Sequence, residues 1–101
     1  MLVVHVTCGG EKEARRIALS VLKNKLAACA SYWPVNSAYR WKGKTLEEKE
    51  WMLEIKTDRK NAAALAKKIK SLHSYALPAI LFSEARASKP LEKWVEESVK
   101  K

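Results

Sequence analysis

Cysteine is scarce in this chain, with Cys8 and Cys29 the only two. Their separation fits neither a zinc knuckle nor a close-spaced redox pair, so both read as reduced thiols. Long apolar runs are absent as well. Nothing approaches the length needed to span a bilayer, and the short run from Met1 to Val6 leads into Gly9-Gly10 without the features of a secretory leader. The expectation is no membrane segment and a cytoplasmic protein. There is no phosphate-binding loop, and no nucleophile and base stand at a recognisable spacing, which weighs against an enzyme. Acidic residues are outnumbered, 11 Asp and Glu against 20 Lys and Arg, for a net charge of +9. The cations are dispersed: Arg15, Arg16, Lys23 and Lys25 in one helical stretch, Lys67, Lys68 and Lys70 in another, and Arg40, Lys42 and Lys44 at a turn. Spread in this way they read as solvated surface more than as a groove for a polyanion.

What is present is enough for one domain, residues 1–101, with a core that needs neither disulfide nor structural metal. Leu2 to Cys8 runs or alternates apolar and stops at Gly9-Gly10, the mark of a strand and turn. Gly10 then opens a helix in which Ala14, Ile17, Ala18, Val21 and Leu22 share one face, with Glu11 and Glu13 in the first turn where the macrodipole favours them. Asn61 to His73 is a second helix, striped by Ala62, Leu65, Ala66, Ile69 and Leu72, with Thr57 or Asp58 as its N-cap. A strand from Pro78 to about Ala85 follows. Lys89-Pro90 starts a last helix whose expected buried face is Leu91, Trp94, Val95 and Val99.

The arm from Ala27 to Thr57 decides the architecture. It folds back on itself around Lys42-Gly43-Lys44, and its first half, residues 27–41, has no helical period. Extended at roughly 3.3 Å per residue, that half reaches about 50 Å, whereas a domain of this size has a radius of gyration of about 13 Å. A continuous ribbon must therefore project past its own core, leaving Tyr39, Trp41 and Trp51 in water and in want of a partner. On the outgoing half Cys29, Ser31 and Trp33 share a face, continued by Val35, Ser37, Tyr39 and Trp41 unless Pro34 introduces a bulge. Glu47, Glu48 and Glu50 could collect cations weakly, but next to Lys44 and Lys49 they read as a solvated, charge-balanced edge, and Thr45 to Glu50 as either strand or a short irregular excursion.

The order of elements is strand, helix, strand, strand, helix, strand, helix. Right-handed crossovers with both helices on one face make this an α+β chain, a ferredoxin-like βαββαβ sandwich with an extra C-terminal helix and a long hairpin between its second and third strands. The third strand then separates the first from the second. Cys8 and Cys29 stand two strand spacings apart, near 10 Å, beyond the roughly 7 Å reach of a disulfide. The same order underlies RNA-recognition domains, but their Gly-Phe-rich octamer is missing where this chain reads Trp51-Met52-Leu53-Glu54-Ile55, so nucleic acid is not the expected partner.

Four segments, in order and on matching elements, give this chain its resemblance to a known family. They are Leu26-Ala27-Ala28-Cys29, Ser37-Ala38-Tyr39-Arg40-Trp41-Lys42-Gly43-Lys44, Lys49-Glu50 through Ile55-Lys56-Thr57, and Leu72-His73-Ser74-Tyr75 ahead of Pro78-Ala79-Ile80. Along essentially its whole length the chain resembles the CutA divalent cation tolerance proteins. The resemblance implies a homotrimer with hairpins pairing edge to edge, a part in the response to copper or another divalent metal, and no settled enzymatic activity. It also implies candidate residues. His73 matches the metal-associated histidine, and Cys29 the cysteine after the first helix. Cys8 lies two residues beyond Val6, where some relatives carry a cysteine ligand, and with His73 and Cys29 it makes up the candidate metal ligands. Tyr39, Trp41, Lys56 and Tyr75 match positions lining the cleft between subunits, where a small anion or a partner protein is the alternative ligand. The family often has acidic residues at the positions of Ala76 and Ala79, so a hard cation is not expected at that loop. Each candidate also has a structural reading: His73 as a helix C-terminal hydrogen-bonding group, Cys29 as a packed thiol, His5 as a satisfied sheet histidine, and Lys56 as the ion-pair partner of Glu54 or Glu50.

Overall fold

The computed structural model describes residues 1–100. The elements are β1 (Leu2–Cys8), α1 (Glu11–Lys23), β2 (Cys29–Trp41), β3 (Lys44–Thr57), a 3-10 turn (Arg59–Asn61), α2 (Ala62–Leu72), β4 (Ile80–Glu84) and α3 (Lys89–Ser98). The strands form one antiparallel sheet in the order β2-β3-β1-β4, the ferredoxin-like arrangement, with β3 between β1 and β2.

Strict alternation in β1 buries Leu2, Val4, Val6 and Cys8 on one face. Ala14, Ile17, Ala18 and Val21 of α1, Leu53 and Ile55 of β3, and Leu65 and Ile69 of α2 complete the core. Thr57 is also fully buried, where its hydroxyl donates to the Leu26 carbonyl oxygen at 2.8 Å and so stays satisfied. The chain leaves α1 through Lys25 in the left-handed region, φ 55°, with Lys25 N–H donating to Leu22 O and Leu26 N–H to Val21 O. This is a Schellman close made without glycine. Asp58 caps the next turn, its carboxylate accepting from the Asn61 N–H.

The hairpin is continuous. Every residue from Cys29 to Trp41 pairs with β3, and Lys42 and Gly43, both at positive φ, make a two-residue turn. Pro34 sits on an edge strand opposite Trp51 and introduces no bulge. Thr45 to Glu50 is strand throughout. The ribbon stretches the molecule to 44 × 24 × 21 Å, and Trp41 remains 45 % exposed near its tip. Two aromatic expectations need correction. Trp51 is not left in water: it lies opposite Cys8 on the helix-covered face and packs against Tyr32, with ring centroids 6.1 Å apart. Trp94 is not on a buried face but 47 % exposed, while Val95 and Val99 are buried and Leu91 is half-buried.

Candidate functional site

Two groupings of polar side chains meet where β1 ends. The first arises because Gly9-Gly10 turns the chain straight into α1, while α2 stops at Leu72 and His73 departs in extended backbone, φ −82° and ψ 140°. The loop after α2 therefore crosses the end of β1. His73 Nε2 lies 2.7 Å from the Thr7 carbonyl oxygen, and the Tyr75 N–H donates to His73 Nδ1 at 3.0 Å. A backbone amide can only donate, so Nδ1 accepts and the ring proton is placed on Nε2, facing Thr7 O. Glu13 is used on both oxygens: Oε1 accepts from the Gly9 N–H at 3.3 Å and Oε2 from the Ser74 N–H at 2.9 Å. Burial pushes the Glu13 carboxyl upward, but the hydrogen bonds from Ser74 and Gly9 and the neighbouring His73 outweigh it and hold the group below its ordinary value. Arg16 closes the corner by donating to the Leu72 carbonyl oxygen at 2.8 Å.

Ligand-type atoms of Cys8, Glu13 and His73 lie within 4.8 Å of one another, as a metal would require. Their chemistry does not fit a resident ion. Both ring nitrogens of His73 and both oxygens of Glu13 are engaged by backbone groups. The Cys8 thiol is completely buried and pushed up to about 12 in the metal-free chain, first by desolvation and then by the Glu13 and Glu50 charges, so an ion there would have to displace its proton.

Cys29 and Lys56 do not join this grouping. They pair with each other across β2 and β3, five positions along β3 from the Trp51 that pairs with Cys8, or roughly 17 Å. Lys56 instead lies 3.9 Å from Glu54, the ion-pair reading. His5 Nε2 is 3.3 Å from Glu54 across the sheet.

The second grouping is a cleft of about 550 Å³ between the hairpin and the loop after α2, lined chiefly by Tyr39, Trp41, Glu48, Glu50, Tyr75 and Leu77. Tyr39, Trp41 and Tyr75, marked by the sequence, are brought together here; Lys56 is not. Glu48 and Glu50, read from the sequence as part of a solvated edge able to collect cations only weakly, face the cleft as well. Their signal was parity, since residues two apart on a strand share a face and β3 pairs them with Ser37 and Val35 of the same outgoing face as Tyr39. Glu50 also departs from a solvated edge, being only 7 % exposed, and it accepts a 2.7 Å hydrogen bond from the Tyr75 hydroxyl. Burial and the Glu50 carboxylate push the Tyr75 phenol above its ordinary range, and hydrogen bonding to Glu48 raises that of Tyr39. Among the described residues no Lys, Arg or His lines the cleft, so a chain of net charge +9 keeps a locally negative pocket.

Comparison with known proteins agrees with this architecture. The family model for the CutA1 divalent ion tolerance protein matches residues 2–98. The divalent-cation tolerance protein CutA of Archaeoglobus fulgidus is 33 % identical over 97 residues, covering 95 % of each chain. Protein CutA of Mus musculus is 35 % identical over 94 residues, and this chain spans 53 % of that longer relative. The crystal structure of CutA1 from Pyrococcus horikoshii superposes with a TM-score of 0.95 at 31 % identity, over 100 % of both chains. The solved Archaeoglobus fulgidus structure, TM-score 0.96 at 32 % identity over 99 % of this chain and 100 % of that one, is described as the periplasmic divalent cation tolerance protein. That description corrects the cytoplasmic expectation, which rested on the N-terminal residues and the lack of a long apolar run. No helix among the described residues is long and apolar enough to cross a membrane, which assigns no compartment. Matched by the family model over nearly its full length and by relatives above 30 % identity, the chain belongs to the CutA1 divalent ion tolerance family.

Proposed function

We propose that this chain serves divalent-cation tolerance as a homotrimer without catalysing a reaction, and that it takes copper(II) or another divalent cation at the Glu48–Glu50 cleft. The observation that carries this reading is the pairing of two carboxylates with no basic side chain in one cleft. Local negative charge attracts a cation that the net charge of the chain would repel at long range. Among divalent first-row ions copper(II) binds oxygen and nitrogen donors most tightly, so a carboxylate site favours it without a thiolate. The Cys8–Glu13–His73 grouping is the weaker candidate because both His73 nitrogens and both Glu13 oxygens already make hydrogen bonds. A small anion is disfavoured for the same reason that a cation is favoured. Trimer formation is supported by the unpaired outer edge of β2 and by the exposed Trp33, Tyr39 and Trp41 along it.

The test is calorimetric titration of copper(II) into wild type, Glu48→Gln and Cys8→Ser, with light scattering on the same samples. Losing one charged ligand should weaken binding by about tenfold or more in Glu48→Gln, with Cys8→Ser unchanged. The scattering mass should be three times the 11.4 kDa of one chain. Binding indifferent to Glu48 but lost with Cys8 would return the ion to the thiol. A second reading, a partner protein docked at the cleft without metal, is favoured by Leu77, 73 % exposed at the rim. It predicts no copper uptake by the wild type.

A further inference from the structure

We infer that His73 is a positioning residue for the cleft: through Tyr75 it holds the Glu50 carboxylate in place, and it does not act as a metal ligand. This deepens the cleft reading and rests on it for its link to ligand affinity.

The connection can be followed atom by atom. The Thr7 carbonyl of β1 anchors His73 through Nε2 at 2.7 Å, and Thr7 itself lines the cleft. His73 Nδ1 then takes the Tyr75 N–H at 3.0 Å, and the two rings stack obliquely with centroids 4.7 Å apart. At the far end of the same residue the Tyr75 hydroxyl donates to Glu50 Oε2 at 2.7 Å. Glu50 is buried, and without that donor its charge would lose the hydrogen bond that Tyr75 supplies. A second leg ties the intervening residue, with Ser74 N–H on Glu13 Oε2 at 2.9 Å. Tyr75 also rests over Gly9, where an added Cβ would come within 3.5 Å of the hydroxyl oxygen. The loop is thus held from both sides of the Gly9-Gly10 turn, and imidazole is suited to the joint because one neutral ring donates on one side and accepts on the other. An ion at His73 would have to replace one of those two bonds.

Two amide substitutions divide the ring's two functions. In His73→Asn the side-chain oxygen can occupy the place of Nδ1 and keep the Tyr75 amide bond. In His73→Gln the side-chain nitrogen can reach the place of Nε2 and keep Thr7, but it leaves the Tyr75 amide free. Amide hydrogen exchange on the full chain, followed residue by residue, should show Tyr75 exchanging about five- to tenfold faster in His73→Gln than in wild type. It should be close to wild type in His73→Asn, with Ile17 and Ile69 unchanged in both variants. Copper(II) affinity should fall with His73→Gln and hold with His73→Asn. Tyr75 exchange that is unaltered by His73→Gln overturns the inference. So does copper(II) affinity lost equally in both variants and in Cys8→Ser, the pattern of a histidine ligand. So, too, does a freed Tyr75 amide with unchanged copper(II) affinity. If wild type takes up no copper(II), the cleft reading fails by itself, and the Tyr75 exchange still decides whether His73 positions the loop.

Discussion

Cys8, Glu13 and His73 on one side of the end of β1, and Tyr39, Trp41, Glu48 and Glu50 on the other, are two answers to one problem of placing polar groups beside a core. The first grouping has the compactness expected of a metal site, yet each nitrogen and carboxylate oxygen in it already makes a hydrogen bond, and its thiol proton is held by burial. The second is looser and more open, and it keeps the exposed Glu48 carboxylate facing a cleft without a cation of its own. Distance alone does not make a ligand set. Availability of the donor atoms does, and availability depends on what else has been brought within hydrogen-bonding reach.

The contrast can be broken most sharply at Cys8. With its thiol pushed up to about 12 and no exposed surface, the native chain at pH 8 should react with Ellman's reagent at Cys8 far more slowly than the urea-unfolded chain. The deficit expected from the thiolate fraction is about a thousandfold or more. Rapid native modification would show an available thiol and reopen the first grouping as a site. A smaller effect is expected at Glu13, whose replacement by Ala should cost about 1 kcal/mol in urea denaturation, since the freed Gly9 and Ser74 amides can reach water. Because the fold lowers the Glu13 carboxyl, its stabilisation is complete above the unfolded-chain value of 4.5 and disappears as pH falls through the folded value. The gap between wild type and Glu13→Ala should narrow over that acidic window. A gap that widens on acidification would contradict the assigned direction. Copper(II) titration of this variant measures how far the two groupings are independent. The smallest effect serves as a control outside both: Lys25→Gly relieves a left-handed lysine and should raise stability by about 0.5 kcal/mol. Cys8 reactivity and copper(II) uptake should stay unchanged in it.

Much of this molecule was legible from residue order. The alternation of Leu2, Val4, Val6 and Cys8, the stripes of Ala14, Ile17, Ala18 and Val21 and of Leu65 and Ile69, and the long arm turning at Lys42-Gly43 lead directly to the observed elements. The strand parity through Pro34 held because an edge proline removes no ladder bond. Side chains judged by their neighbours in sequence fared less well. Glu50 looked solvated beside Lys49, and only the Tyr75 loop, 25 residues away, buries and satisfies it. Glu13 looked like a first-turn dipole residue, and its contact with Ser74 spans 61 residues. Lys56 does pair with Glu54, as its neighbours suggested, and within one chain Cys29 and Lys56 lie at the opposite end of the strands from Cys8 and Tyr39, because antiparallel pairing converts sequence distance into length along the sheet.

By itself, the order of residues determined the βαββαβ course, its core stripe and the overlong ribbon, since those follow from periodicity and backbone chemistry within short windows. Only the tertiary structure decided which polar atoms are taken and which are free. Thr7, Glu13, Ser74 and Tyr75 come together through loop crossing and strand register, and whether a nitrogen or carboxylate can hold an ion is a property of that assembled neighbourhood.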